Sequence, residues 1–256
     1  MRLKDKVIIV TGATAGIGRA IAERCVAEGA RVLVHGLDRP QGEALVARLG
    51  PAAALHLADL ADPASAEAVV AAALAAFGRI DGLVNNAAVV VRNNLRTTSA
   101  AHFDAVMAVN VRAPLLLIQA ALPALVRTRG AVLNIGSINA YSGEPELLDY
   151  SLSKGALLTL SRNLANALAP EQVRVNHLNV GWVLTEREYA LQVRLGQPAD
   201  WHERVPPVFA PSGRLLKPEE IAAAAIYWLS DESGPVSGSV VELEQFPVIG
   251  RNPVKS

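Results

Sequence analysis

The sequence predicts an α/β fold, a single doubly wound and mainly parallel sheet with helices on both faces. Short apolar runs alternate along the chain with longer segments of helical period. Several of these runs are apolar throughout rather than at every second residue, as strands covered on both faces are. The alternation of apolar runs with helical segments predicts parallel strands joined by right-handed crossovers. A glycine-rich turn follows the first run.

Each predicted element corresponds to its own stretch of sequence. The predicted strands are Lys6 to Thr11, Arg31 to His35, Ala53 to Ala58, Gly82 to Asn85, Ala131 to Gly136, Val173 to Leu178 and Ser239 to Leu243. The helical period runs through residues 17–28, 40–49, 63–77, 99–127, 150–168 and 218–229. The segment from Gly181 to Lys217 has no clear period and contains several prolines, and loops this long in compact domains are usually functional. We therefore expect residues 1–256 to form one domain, with residues 182–216 as a substrate-binding loop or lid.

The composition narrows the class of protein. The 256 residues carry no formal net charge, and no run of Lys and Arg forms the basic stripe of a nucleic-acid binder. The single cysteine excludes an intrachain disulfide, which suits a reducing compartment. The first apolar run is too short for a signal peptide or a membrane span. We expect a cytoplasmic protein that binds a small molecule and neither nucleic acid nor membrane.

The turn after the first predicted strand has the residues of a phosphate-binding loop. Glycine at Gly12 permits a tight turn, Gly16 allows close approach of a pyrophosphate, and Gly18 lets the next helix pack on the strand. The free N–H groups at the start of that helix favour phosphate charge. An ordinary glycine-rich turn is the alternative, but the order strand, glycines, helix favours a dinucleotide site.

Four polar residues further along form a candidate catalytic group. Tyr150 and Lys154 are four residues apart at the start of a predicted helix and so share one face. Ser137 follows the fifth predicted strand, at the edge of the sheet where ligands bind. Asn110 lies in the helix that precedes this strand. On its own, a Tyr/Lys pair at this spacing is more often a solvated face or a core tyrosine beside a lysine.

Together these residues resemble the short-chain dehydrogenase/reductase family over nearly the whole chain. The matching pieces are Thr11 to Gly18, Asp59, Asn85-Asn86-Ala87, Asn110, Ser137, Tyr150-x-x-x-Lys154 and Gly181-x-x-x-Thr185. Each piece is weak alone, but all of them occur in the family's order. The resemblance implies a Rossmann-like fold and an NAD(P)-dependent oxidoreductase that interconverts a secondary alcohol and a ketone.

The resemblance also implies a role for each catalytic residue. Tyr150 is the general acid/base, and Lys154 lowers its pKa and binds the nicotinamide ribose. Ser137 donates a hydrogen bond to the substrate oxygen. Asn110 holds a water that links Lys154 to solvent. No metal is required, and the five histidines show no ligand spacing.

The implied cofactor contacts carry over in the same way. Asp59 matches the residue that contacts the adenine amine, Asn86 and Ala87 line the ribose, and Thr185 reaches the carboxamide. The full set of expected cofactor residues is Gly12, Thr14, Gly16, Ile17, Gly18, Asp38, Asp59, Leu60, Asn86, Ala87, Tyr150, Lys154, Gly181, Val183 and Thr185.

The end of the second predicted strand bears on the choice between NAD and NADP. Relatives that use NAD usually carry an acid where Gly36 stands, and those that use NADP often carry arginine where Leu37 stands. Neither pattern is met. Asp38 lies twenty residues after Gly18, at the usual spacing of the acid that binds the ribose. The positions that are usually basic in NADP users, Ala15 and Leu37, carry no charge here, which favours NAD, although the adjacent Arg39 would suit a 2′-phosphate.

The sequence constrains the identity of the substrate less tightly than that of the cofactor. The expected substrate residues are Ser137, Asn139, Glu144, Trp182 and Tyr189, with Val89, Val91, Ile138, Leu147 and Trp201 beside them. Aromatic faces with polar groups suit a sugar, polyol or hydroxy acid, but also a steroid-like or aromatic ketone. A 3-oxoacyl thioester reductase using NADPH and a non-catalytic dinucleotide-binding protein remain alternatives. An apolar tail from Pro247 to Arg251 favours a homo-oligomer, a dimer or a tetramer.

Overall fold

The computed structural model describes residues 1–249, and it contains a seven-stranded sheet whose neighbouring strands are all parallel. The strands are β1 (Val7–Val10), β2 (Arg31–Gly36), β3 (Ala53–Leu57), β4 (Gly82–Asn85), β5 (Ala131–Ser137), β6 (Arg174–Val180) and β7 (Val240–Leu243). The α-helices are α1 (Gly16–Ala27), α2 (Arg39–Leu49), α3 (Ser65–Phe77), α4 (Ala100–Met107), α5 (Ala113–Thr128), α6 (Asn139–Ser142), α7 (Leu148–Ala167), α8 (Glu186–Arg194) and α9 (Pro218–Leu229). The predicted fold class is confirmed.

The strand order places a crevice beside the glycine turn. The sheet runs β3-β2-β1-β4-β5-β6-β7, so successive strands are added on one side of β1 and then, from β4, on the other. The loops after β1 and β4 diverge at this reversal and leave a crevice at the carboxyl edge of the sheet, where doubly wound folds bind their ligands. The sequence places the glycine turn after β1 and Asn86 after β4.

Helices cover both faces of the sheet, which is why a central strand such as β1 is apolar throughout. On one face, Ile21 of α1 and Ile226 of α9 are fully buried against the inward side chains of the strands. On the other face, Val69 of α3 and Leu117 of α5 are fully buried in a second apolar cluster. Burial of side chains of this size stabilises the fold by about 1.5–3 kcal/mol each.

The predicted helix over 99–127 is interrupted in the structure. Ser99 caps α4 by accepting the N–H of His102 at 3.2 Å, and residues Ala108–Arg112 then form a π-helical turn before α5. Pro114 has no N–H to donate to the carbonyl four residues earlier, so the α-helical ladder cannot run unbroken there. By length and composition the helical stretch Ala100–Thr128 is apolar enough to cross a membrane, yet 44% of its apolar window is buried inside the protein.

The segment expected to lack regular structure contains a helix. Thr185 caps α8 by accepting the N–H of Glu188 at 3.1 Å, and Glu186 and Glu188 in the first turn complement the helix dipole. Beyond α8, the indole rings of Trp182 and Trp201 stack with their centroids 5.6 Å apart. An ion pair between Arg19 of α1 and Glu186 joins the segment to the domain.

Candidate active site

The glycine turn has the close approaches that a pyrophosphate site needs. Gly12 has a φ of 62°, and a Cβ there would lie 2.8 Å from Ala87 Cα. A Cβ at Gly18 would lie 2.3 Å from the carbonyl oxygen of Gly12, so only glycine lets α1 start this close to the strand. Thr11 Oγ1 accepts the backbone N–H groups of Asn86 at 3.0 Å and Ala87 at 3.1 Å. The turn therefore fits a dinucleotide, with Asn86 and Ala87 held beside it.

Thr14 explains why glycine stands at the end of β2. A Cβ at Gly36 would lie 2.5 Å from Thr14 Cγ2 and 2.7 Å from Thr14 Oγ1. The acid that relatives carry at this position would therefore collide with the threonine.

Asp38 follows two residues later and caps α2. Its carboxylate accepts the backbone N–H of Gln41 at 3.0 Å and the Gln41 side-chain amide at 3.0 Å. Arg39, next to it, pairs with Glu43 at 3.1 Å. An exposed carboxylate after the end of β2 thus stands beside an arginine that already has a partner.

The other expected cofactor residues lie along the same edge. Asp59 is exposed after β3 and accepts the N–H of Ala61 at 2.9 Å, while Leu60 is buried. Gly16 has a φ of 55°, and a Cβ there would lie 3.4 Å from Thr185 Cγ2. Residues of α1 and of the segment after β6 line one large cavity: Ile17, Gly181, Val183 and Thr185.

Ser137, Tyr150 and Lys154 come together at the carboxyl edge of β5. The Ser137 hydroxyl lies near the Tyr150 phenol, close enough to favour its ionised form. Lys154 Nζ lies 5.5 Å from the centroid of the Tyr150 ring and donates to the carbonyl oxygen of Ile135 at 2.7 Å. The helix carries both side chains on one face, as their spacing predicts.

Burial acts on the two titratable groups in opposite directions. It raises the pKa of Tyr150 to about 12, and the hydrogen bond from Ser137 offsets part of that rise. Burial also lowers the pKa of Lys154 to about 8. Each charged form is disfavoured on its own, so a phenolate at Tyr150 requires a neighbouring positive charge.

The side chain of Asn110 bonds the loop after β4 and α7 rather than Lys154. Its Oδ1 accepts the N–H of Val89 at 2.8 Å, and its Nδ2 donates to Val89 O at 2.9 Å and to Ser153 Oγ at 3.0 Å. The π-helical turn places this side chain against the loop after β4. Asn110 therefore fixes that loop against α7, next to the lysine.

A buried histidine of β6 packs its ring against β5, the strand that carries Ser137. Ser161 Oγ and Asn179 Oδ1 bond its two ring nitrogens, Nδ1 at 2.8 Å and Nε2 at 2.9 Å. This residue, His177, fills the space that a Cβ at Gly136 would need. Burial, together with the nearby positive charges of Lys154 and Arg162, lowers the pKa of His177 to about 4, although the hydrogen bond with Asn179 raises it. The sequence had suggested only surface or core packing for it.

A cavity of about 710 Å³ opens over the catalytic group. Four of the expected substrate residues line it, namely Ser137, Asn139, Glu144 and Trp182. Tyr189 does not, because its ring lies at a second pocket beside Gly16 and Arg19, 5.7 Å from the ring of His202.

The sequence analysis expected Val89 and Val91 of the loop after β4 to face the substrate. This expectation was wrong by one residue. Ala88, Val90 and Arg92 line the cavity, whereas Val89 and Val91 do not. The backbone of Val89 is bonded to Asn110, and this contact fixes which side chains of the loop face the cavity.

Several lining residues were missed from the sequence. They are Arg92, Glu188, Gln192, Arg204, Phe209, Glu244 and Phe246. Most belong to the segment whose helix was not predicted, although Thr185 followed by Glu188 is a recognisable helix-start pattern. Among residues 1–249, no three His, Cys, Asp or Glu side chains lie together in a way that could hold a metal ion.

A tyrosine, serine and lysine beside a turn shaped for a pyrophosphate define an NAD(P)-dependent oxidoreductase that interconverts an alcohol and a ketone. A family model described as enoyl-(acyl carrier protein) reductase matches residues 12–244. The chain belongs to the short-chain dehydrogenase/reductase family.

Two relatives and two solved structures cover almost all of the chain. The chain is 34% identical to 2-(S)-hydroxypropyl-CoM dehydrogenase 3 of Xanthobacter autotrophicus, over 95% of this chain and 96% of the relative. It is 35% identical to D-threitol dehydrogenase of Mycolicibacterium smegmatis, over 93% and 91% of the two chains. A 3-ketoacyl-(acyl-carrier-protein) reductase from Brucella melitensis, complexed with NADH, has a TM-score of 0.83 at 30% identity, with 94% and 97% covered. A 3-oxoacyl (acyl-carrier-protein) reductase from Agrobacterium tumefaciens, with NADP bound, has a TM-score of 0.86 at 29% identity, with 94% and 93% covered.

Proposed function

We propose that the protein is a sugar, polyol or hydroxy-acid dehydrogenase that uses NAD. The observation that carries this proposal is the cavity, because Ser137 and Tyr150 share it with the stacked rings of Trp182 and Trp201 and with Glu144. Flat aromatic faces beside hydrogen-bonding groups suit a polyhydroxylated substrate. A relative named for threitol supports the same class of substrate.

The proposed chemistry uses the neighbouring hydroxyl groups of Ser137 and Tyr150. The substrate hydroxyl binds between the two side chains, and Tyr150 accepts its proton as the general base. Ser137 donates a hydrogen bond to the substrate oxygen and stabilises the charge that develops there. A nicotinamide held here would supply the acceptor for the hydride of the carbinol carbon.

Lys154 and Asn110 support the tyrosine in this proposal. The ammonium group of Lys154 stabilises the phenolate and binds the nicotinamide ribose. Asn110 holds the loop after β4 and a water that carries the proton from Lys154 to solvent. The dinucleotide is held by the glycine turn and the residues along the carboxyl edge of the sheet, with Asp59 at the adenine and Thr185 at the carboxamide.

We assign the preference for NAD to Asp38. Its carboxylate would accept hydrogen bonds from the ribose hydroxyls and repel a 2′-phosphate, and Arg39 is already paired with Glu43. The experiment is a fluorescence titration with NADH and NADPH, followed on the same sample by turnover assays with polyols, sugars and hydroxy acids. We expect NADH to bind about tenfold more tightly, and polyhydroxylated substrates to be oxidised.

The variant Asp38→Asn tests the charge of Asp38 separately from its role as a helix cap, because asparagine caps a helix as well as aspartate does but carries no charge. The variant should bind NADPH about as tightly as NADH while keeping the wild-type melting temperature. Asp231→Asn, a change of the same kind far from the site, should leave the preference unaltered. Equal binding of both cofactors by the wild type would refute the assignment to Asp38.

A 3-oxoacyl thioester reductase using NADPH is the second candidate. Arg92 and Arg204 both line the cavity, and two solved structures similar to this chain are named as such reductases. An oxoacyl thioester belongs in the same assay panel. Its reduction with NADPH, without oxidation of any polyol, would favour this candidate over the first.

We further propose that the chain assembles as a dimer or tetramer. Phe103, Leu115 and Leu152 on the surfaces of α4, α5 and α7 are 38%, 42% and 52% exposed. Exposed apolar groups of this kind are expected at interfaces. Sedimentation equilibrium at micromolar concentration should give a multiple of 26.9 kDa, and a monomer would contradict the proposal.

Four expectations carry over into the proposal. Residues 1–256 form a single domain, and residues 182–216 act as its lid. The location is the cytoplasm, in keeping with a single and fully buried Cys25, and no nucleic acid or membrane is bound. Gly250 and Arg251 of the apolar tail lie outside the described residues.

A further inference from the structure

One carboxylate in the cavity has an oxygen with no hydrogen-bond partner. Glu144 Oε2 is buried and unbonded among residues 1–249, and its Oε1 accepts one long hydrogen bond, from the N–H of Glu146 at 3.4 Å. A buried acceptor left unsatisfied costs about 1–3 kcal/mol, and more when it is charged. Because Glu144 lines the cavity while Oε2 itself is shielded from solvent, a small turn of the side chain toward a bound ligand would supply the missing hydrogen bond.

The other two carboxylates of the cavity are already engaged. Glu188 Oε1 accepts the indole N–H of Trp182 at 2.9 Å and the side-chain amide of Gln192 at 2.8 Å. Glu244 accepts two backbone N–H groups, from Trp182 at 3.2 Å and Gln245 at 2.7 Å. These two hold the lid segment in place, so Glu144 is the carboxylate that remains for substrate.

The backbone around Glu144 is fixed against the catalytic helix. Its N–H donates to Ser151 Oγ at 3.3 Å, and its carbonyl oxygen accepts the N–H of Leu147 at 2.9 Å. Ser151 is the neighbour of Tyr150 in α7. The backbone that carries this carboxylate is therefore bonded to α7, the helix that carries the general base. No ion pair within residues 1–249 neutralises the carboxylate.

The lid contributes a second unpartnered polar atom. Of the five buried side-chain atoms without a partner in the part of the chain described, two belong to residues that line the cavity. These are Glu144 Oε2, an acceptor, and Trp201 Nε1, a donor. A hydroxyl group can serve either of them, since it both donates and accepts.

We infer that Glu144 and Trp201 bind hydroxyl groups of the substrate other than the one that reacts. This inference rests on the proposed function and narrows it to neutral polyols and sugars. A hydroxy acid would bring its own carboxylate near Glu144, and the repulsion would weaken its binding. Glu144 is in this way a residue that determines specificity.

The test compares substrates that differ by one hydroxyl. Wild-type protein is assayed, with the cofactor it prefers, on 2,3-butanediol against 2-butanol and on cis-1,2-cyclohexanediol against cyclohexanol. We expect a higher kcat/KM for the diol in each pair. Glu144→Ala should lower the ratio of diol to mono-alcohol by about 10–150-fold, the value of a hydrogen bond to a charged group.

Glu146→Ala is the matched control, because its carboxylate is on the exposed side of the same loop, bonded to Asn94. That ratio should stay at the wild-type value in the control, and both variants should still bind the reduced cofactor. If Glu144→Ala keeps the preference for diols, the inference is wrong and the proposed function stands. If the wild type shows no preference for diols, or oxidises none of the four alcohols, the polyol assignment fails together with the inference.

Discussion

Replacing Tyr150 with phenylalanine should lower kcat by roughly 10²–10⁴-fold, the usual contribution of a general acid or base. The change removes only the hydroxyl near Ser137 and leaves the ring beside Lys154. Binding of the reduced cofactor should stay within a few-fold of the wild type, since the glycine turn is untouched. The measurement is turnover on the best alcohol of the panel, with cofactor titration on the same sample.

Tyr227→Phe is the control for this experiment. Tyr227 lies in α9, with its ring 4.9 Å from that of Trp228, and it does not line the cavity. The control should keep wild-type turnover. Full activity in the Tyr150 variant would show that a different group moves the proton.

Gly136→Ala should destabilise the protein by about 1–3 kcal/mol, the usual cost of overpacking a core. The new Cβ would lie 2.0 Å from His177 Nε2 and 2.4 Å from Asn179 Oδ1. The imidazole cannot turn away cheaply, because hydrogen bonds hold both of its nitrogens. Any shift of β5 also moves Ser137, so turnover should fall as well. Urea unfolding gives the change in the free energy of unfolding.

A double-mutant cycle identifies the cause. His177→Ala removes the atom that the new Cβ would meet, so the combined variant should be more stable than the sum of the two single changes predicts. Gly155→Ala in α7 is the control, since a Cβ there meets only Ala140 O at 3.7 Å and alanine favours the helix. Strict additivity of Gly136→Ala and His177→Ala would rule out this clash.

The sequence was most informative where local chemistry is strict. The glycine turn after β1 requires residues without a Cβ, so Gly12 and Gly18 could be interpreted directly from the sequence. The four-residue spacing of Tyr150 and Lys154 placed both on one face of α7. The strands were recognisable because helices cover both faces of the sheet and demand continuous apolar runs.

The sequence was less informative where tertiary contacts decide the structure. The loop after β4 presents Val90 rather than Val89 to the cavity because Asn110, about twenty residues later, bonds the Val89 backbone. The helix α8 was missed because its first turn lies among polar residues and prolines follow it. The role of Asp38 as a helix cap was recognisable, since Pro40 follows at the start of α2.

The stacked rings of Trp182 and Trp201 have a spectroscopic consequence. The chain contains three tryptophans, and two of them are on the segment that lies over the cavity. The third, Trp228, lies in α9 on the domain. Indole emission depends on the surroundings of the ring, so two of the three indoles report on the surroundings of the cavity. In a Trp228→Phe background, every remaining indole belongs to that segment, and its movement can be followed by selective excitation of tryptophan without an added dye.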